Sequence, residues 1–146
     1  MKSNAINKKS ITSVSDFAEL ERIRDFVRCS AMKFGFAEDE AQKISLAVDE
    51  AVSNLIKHAF HLDSEKQIKI EVESRNNWFT VNILDDGKPF NPLEVDTPNM
   101  IEYLKNYEKG GLGIHIMKLV MDKIDYVPSH ARGDSRNILR LSKQLN

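Results

Sequence analysis

The sequence predicts an α+β domain, with helices layered on one face of a mixed, mainly antiparallel sheet. Three observations predict it. Apolar residues recur every three or four positions through 17–34 and again through 41–59, the pattern of two amphipathic helices. The period then drops to two through 68–84, as in half-buried strands. An apolar stretch at helical spacing, 112–121, follows a run of glycines and leads into two short strands. At 146 residues the chain is near the modal domain size, so one domain spanning 1–146 is expected.

The elements follow in order. Ser13 to Ser15 offer N-cap residues for a first helix carrying Phe17, Leu20, Ile23, Phe26 or Val27, Ala31 and Phe34, and Gly35 suits its end. Glu38 and Asp39 place acids in the first turn of a second helix, where they favour its dipole. That helix buries Ala41, Ile44, Val48, Ala51, Leu55 and Ala59, with Glu50 and Asn54 at the rim of this stripe. Ile68, Ile70 and Val72 alternate with charged residues, Asn76-Asn77 marks a turn, and Phe79, Val81 and Ile83 share a face of the partner strand. Pro89, Pro92 and Pro98 make the next stretch irregular, with a short helix possible over 100–107. A helix over 112–121 and strands over 124–127 and 137–141 close the chain, around a turn containing Gly133.

Bulk composition excludes several classes. With 41% apolar and 29% charged residues the chain is not of disordered composition. Its 21 basic and 22 acidic residues give a net charge of −1, so no global field draws it to nucleic acid or to an anionic membrane. No apolar run reaches the roughly 20 residues that span a bilayer. The N-terminal segment lacks the apolar core of a signal peptide, and a cytoplasmic protein is expected. A lone Cys29, expected as a small buried helix residue, permits neither an intrachain disulfide nor a cysteine-only metal site.

Chemistry concentrates in three segments. Glu50, Asn54 and His58 stand four residues apart, which stacks them on one helix face. A carboxylate and a carboxamide so placed can position a hydroxyl and hold a cation that prefers oxygen ligands. Asp85-x-Gly87 ends a strand, where an aspartate can accept a hydrogen bond from an exocyclic amine and a glycine lets a ring approach the backbone. Gly110-Gly-Leu-Gly113 opens a helix, whose N-terminus and glycine amides favour a phosphate. Each has an ordinary reading of its own: a solvated helix face, an Asp-Gly turn, a glycine-rich helix entry. His58 reads as a packing residue closing its helix, and with His61 it lacks the third ligand of a zinc site.

Together, the segments resemble the motifs of the GHKL (HATPase) ATP-binding superfamily. Glu50-x-x-x-Asn54-x-x-x-His58 is similar to its N-box, Asp85-x-Gly87-x-Pro89-Phe90 to its first glycine box, and Gly111-Leu-Gly113-Ile-x-Ile116-Met117 followed by Asp122 to its second. The Pro-Phe pair, the short lid and the spacing from Met117 to Asp122 resemble the anti-sigma-factor serine kinases of the RsbW and SpoIIAB type, over about residues 13–143. The resemblance implies a Bergerat-type two-layer α/β sandwich and the cofactors ATP and Mg²⁺. Asn54 would be the metal ligand, Asp85 would read the adenine amine, and Gly87 would admit the base. Gly111, Leu112 and Gly113 would border the phosphates, and residues 91–109 would form a lid bringing Lys105 or Lys109 towards them. Glu50 would be the catalytic base.

The implied activity is ATP-dependent protein-serine kinase and anti-sigma factor, with a STAS-type anti-sigma antagonist and a sigma factor as partners. No direct nucleic acid contact and no membrane are expected. Related kinases suggest a homodimer, with the first helix and N-terminal segment as its place. The alternative is a catalytically weak module of the same fold that uses nucleotide only to control partner binding. A histidine-kinase catalytic domain would need a helical dimerisation segment, and a chaperone-like clamp a transducer domain. Two departures stand out. Gly133-Asp-Ser-Arg-Asn137 replaces the Gly-Thr pair that often closes the pocket, leaving the role of Ser135 and Asn137 open. The lid also has lysines but no arginine, and a lysine cannot grip a phosphate bidentately.

Overall fold

Asp85 and Asn54, predicted to serve one site, are held by the two layers of the fold: a strand end and a helix end. A computed structural model of the chain describes residues 7–60, 65–94, 111–129 and 136–146. Five strands form one sheet: β1 (Asn7–Val14), β2 (Gln67–Arg75), β3 (Trp78–Asp85), β4 (Lys123–Val127) and β5 (Asn137–Gln144). Their spatial order is β1-β2-β3-β5-β4 and every pairing is antiparallel, so the expected admixture of parallel strands is absent among the described strands. The helices are α1 (Leu20–Phe34), α2 (Glu38–Asn54) and α3 (Gly111–Val120).

The helix-facing side of the sheet carries the core, although Asn82, Leu84, Ile138 and Ser142 of the other face are buried as well. Ile68, Ile70, Val72, Phe79, Val81, Ile83, Leu139 and Leu141 meet Ile23, Val27, Ala31, Ile44, Val48, Ala51 and Met117 in one core. On the opposite face Asn82 donates to the carboxylates of Glu71 and Glu73 and accepts from Arg140 Nε at 3.1 Å, while Thr80 and Ser142 share a hydrogen bond. Polar side chains there are satisfied across strands, so that face needs no second helical layer.

The structure revises the expected start of the chain. Asn7–Val14 is an edge strand, paired with β2 from Asn7↔Ser74 to Val14↔Gln67. Ser13 and Ser15 are buried in it and after it rather than capping a helix: Ser15 Oγ accepts from Lys66 N at 3.1 Å. Asp16 takes the capping role, its side chain accepting from Ala18 N at 2.9 Å at the head of a 3₁₀ turn, Phe17–Glu19, that leads into α1. Gly35 ends α1 as expected, at φ 133°, a conformation that glycine alone adopts without strain. Cys29 is exposed on α1, not buried. Leu119, on the outer side of α3, is 72% exposed, and its neighbour Val120 packs on the core instead. The predicted helix over 100–107 lies outside the described residues.

Candidate nucleotide site

The second helix does not continue regularly to Ala59. After Asn54 it widens into a π-helical turn, Leu55–Ala59, closed by Phe60 N donating to Leu55 O at 2.9 Å. An i→i+5 turn carries more residues per revolution than an α-turn, so it rotates the residues that follow away from their α-helical positions. The ladder therefore breaks at its last rung. Asn54 is buried, 4% exposed, whereas His58 is exposed and stacks on Phe90 with ring centroids 5.3 Å apart. The expectation of a histidine with a packing role holds for its stacking, but the ring packs at the surface.

Asn54 Nδ2 is the one buried side-chain polar atom among the described residues that has no hydrogen-bond partner. A buried amide left so costs roughly 1–3 kcal/mol, a cost relieved when a ligand supplies the partner. A half-turn of the carboxamide exchanges its nitrogen and oxygen, so the same end can present an oxygen to a cation. The residue thus fits the donor chemistry of Mg²⁺. One turn earlier, Glu50 is half-buried, and its carboxyl is raised above the ordinary range by burial first and by neighbouring Asp49 second, against the pull of Lys57. Asp49 is itself tied to α1 through Arg24 Nη1 at 2.9 Å. A carboxylate of raised basicity suits proton acceptance near neutral pH.

Asp85 ends β3 only 3% exposed. Its Oδ1 accepts from Gly87 N at 3.0 Å and from Asn137 Nδ2 at 3.1 Å. The same Asn137 nitrogen donates to Gly87 O at 2.9 Å, and Asn137 Oδ1 accepts from Ser129 N at 2.8 Å. Burial pushes the Asp85 carboxyl up, Asn137 and then Gly87 oppose this through their hydrogen bonds, and Asp86 adds to the rise. Asn137 lies directly opposite Asp85 in the β3–β5 register, which is why it can clamp the motif. The sequence alone assigns this residue no role. Its only signal there is its position, where the resembled family closes its pocket.

Gly87 is fixed by sterics of a different kind from those expected. A Cβ built there would lie 2.3 Å from Phe60 Cε1 and 2.9 Å from Cδ1, so a buried aromatic ring occupies the space a side chain would need. Through Phe60 the end of the Asn54 helix touches the Asp85 turn, and through His58 it touches Phe90. Phe90 N in turn donates to the Tyr126 hydroxyl of β4 at 3.0 Å, and burial raises that phenol's pKa. The segments carrying Glu50, Asn54, Asp85, Gly87 and Asn137 thus converge at one end of the sheet. Gly111, Leu112 and Gly113 form the first turn of α3, which packs along α2. Lys105 and Lys109 lie outside the described residues. Asp122, the last residue of the third motif, holds the sheet together, since its Oδ2 accepts from Gln144 N at 2.8 Å.

Comparison with known proteins agrees with this architecture. Residues 14–143 match the family described as the histidine kinase-like ATPase domain. The chain is 33% identical over 112 residues to the anti-sigma F factor of Clostridium botulinum (strain Eklund 17B / Type B), covering 74% of this chain and 73% of that protein. It is 27% identical over 100 residues to the serine-protein kinase RsbW of Bacillus subtilis (strain 168), covering 64% of this chain and 61% of that one. A Mycobacterium tuberculosis structure of RsbU and RsbW domains superposes with a TM-score of 0.63 at 13% identity, covering 95% of this chain and 32% of that longer one. At that identity the likeness shows the fold, an open five-stranded sheet under helices. With its fold, its motif order and a family match over nearly its whole length, the chain belongs to the histidine kinase-like ATPase domain family.

Proposed function

We propose that the chain is an ATP-dependent protein-serine kinase acting as an anti-sigma factor, which phosphorylates a STAS-type antagonist and sequesters a sigma factor. The relatives named anti-sigma F factor and serine-protein kinase RsbW support this reading. The observation that carries it is the pairing of Glu50, a carboxyl of raised basicity, with the buried and unpartnered carboxamide of Asn54 one turn later.

In this mechanism Asp85, held rigid by Asn137 and Gly87, accepts the adenine amine and sets the register of the nucleotide. Asn54 would hold Mg²⁺, which when bound neutralises charge on the phosphates. Glu50 takes the proton of a substrate serine as its oxygen attacks the γ-phosphorus, the bond to the β-phosphate oxygen breaks, and ADP leaves. Phosphoryl transfer of this kind depends on positioning and charge neutralisation, so a sparse set of protein groups suffices. The turn opening α3 at Gly111 to Gly113 offers backbone amides to the phosphates.

Incubation with radiolabelled ATP and a STAS protein encoded beside this chain tests the proposal. Label should appear on the STAS serine and fall by about two orders of magnitude or more with Glu50→Gln, the span expected of a lost general base. Tight ATP binding with no label on the partner, unchanged by Glu50→Gln, would replace the kinase by a module that uses nucleotide only to control binding.

A further inference from the structure

The end of the second helix meets the segment from Asp85 to Phe90 at two points of unequal burial. Phe60 is 4% exposed and belongs to the core, where its ring fills the space beside Gly87. His58 is exposed, and its ring lies over Phe90 with centroids 5.3 Å apart and planes 22° from parallel. Phe90 is also held from a second side. Its N–H donates to the Tyr126 hydroxyl at 3.0 Å, and both residues pack against the core. Asp86, Lys88 and Pro89, which lie between Asp85 and this anchor, are exposed.

Folding gains little from the outer contact, because an exposed ring withdraws little apolar surface from water. Its place in the chain gives it a different consequence. His58 belongs to the π-turn that directly follows Asn54, and Phe90 ends the segment that begins at Asp85. The stack therefore joins the carrier of the proposed metal ligand to the carrier of the proposed adenine reader, and one nucleotide has to meet both. With Phe90 loosened, the turn after Asp85 is free to shift against the helix end. A ligand that then restores the spacing loses affinity by the cost of ordering it.

We propose that His58 is a positioning residue for nucleotide binding, which acts through Phe90 to hold the segment from Asp85 to Phe90 at a fixed spacing from Asn54. The role presupposes the nucleotide reading of the site and is independent of whether the chain is a kinase. It belongs to the face of the ring and not to proton transfer by the imidazole. Another aromatic side chain can therefore fill it, and a methyl group cannot.

Titration calorimetry of the whole chain with magnesium-ATP tests it. His58→Ala should weaken ATP binding by about twofold to tenfold, the span of one aromatic pair, and His58→Phe should restore most of the lost affinity. Phe90→Ala should weaken binding at least as much as His58→Ala. Adding His58→Ala to Phe90→Ala should cause little further loss, because both changes remove one contact. The urea midpoint of His58→Ala should stay close to that of wild type, which separates lost affinity from lost fold. ATP affinity equal in wild type and His58→Ala would overturn the proposal and leave the nucleotide reading standing. So would equal losses in His58→Ala and His58→Phe, losses that add fully across the two positions, or a urea midpoint that falls along with the affinity. A wild-type chain that binds no ATP would overturn the nucleotide reading and the role of His58 together.

Discussion

Asn137 Nδ2 spans the β3–β5 ladder to Asp85 Oδ1 at 3.1 Å, and the same nitrogen reaches Gly87 O at 2.9 Å. One carboxamide thus fixes both the buried acid and the partly exposed turn that follows it. Asn137→Ala should destabilise the fold by about 1–3 kcal/mol, the cost of leaving buried polar groups short of a partner. Urea denaturation measures this, and ATP affinity should fall with it while the oligomeric state is unchanged. Stability equal to wild type would mean that water replaces the amide.

Asp85→Asn separates charge from shape. Because burial holds the Asp85 carboxyl above its ordinary 3.8, the folded chain keeps that proton to higher pH than the unfolded chain does. The group's contribution is then fully present below 3.8 and is lost as pH rises through the raised value. Relative to Asp85→Asn, wild-type stability should decline across this window, by at most about 1.4 kcal/mol per pH unit. Denaturation curves from about pH 4 to about pH 7 check the sign. The same substitution should reduce discrimination of ATP from GTP more than it reduces phosphate affinity. Equal competition by ATP and GTP in the wild type would remove Asp85 as the adenine reader.

Gly87→Ala places a methyl against the Phe60 ring, where the approach would be 2.3 Å. Overpacking of this kind should cost about 1–3 kcal/mol. Combining it with Phe60→Leu should cost less than the two single changes added together, because they share one contact. A strictly additive double variant would show that the strain is relieved elsewhere.

Asn54→Ala should leave the stability of the nucleotide-free protein within about 1 kcal/mol of wild type, since loss of packing is offset by removal of an unpartnered buried amide. Titration calorimetry with ATP, with and without magnesium, should show the magnesium-dependent part of the affinity lost. An unchanged magnesium dependence would sink the ligand assignment.

Most of the fold is legible in the sequence because its helices and four of its strands carry clean apolar periods. β1 is not. Its core-facing positions include Lys9, Ile11 and Ser13, and only one of these is apolar. The small Ser13 is nonetheless buried, so burial there gives no alternating signal. The site is legible to the extent that motif residues lie close in sequence, as Glu50 with Asn54 and Asp85 with Gly87. Asn137 escapes such a reading because its partner is 52 positions away and only the strand register joins them. The π-turn escapes it because Leu55 to Ala59 continues the helical pattern in composition.

The strand order carries a consequence for synthesis. β5 is the last of the five described strands to leave the ribosome, yet it lies between β3 and β4 and brings Asn137 to Asp85. Until it arrives, β3 has an open edge and the aspartate lacks its cross-strand clamp. On the proposed reading, competence to bind adenine is therefore acquired late, and a translation product cut short before β5 would have neither the clamp on Asp85 nor a closed β3 edge.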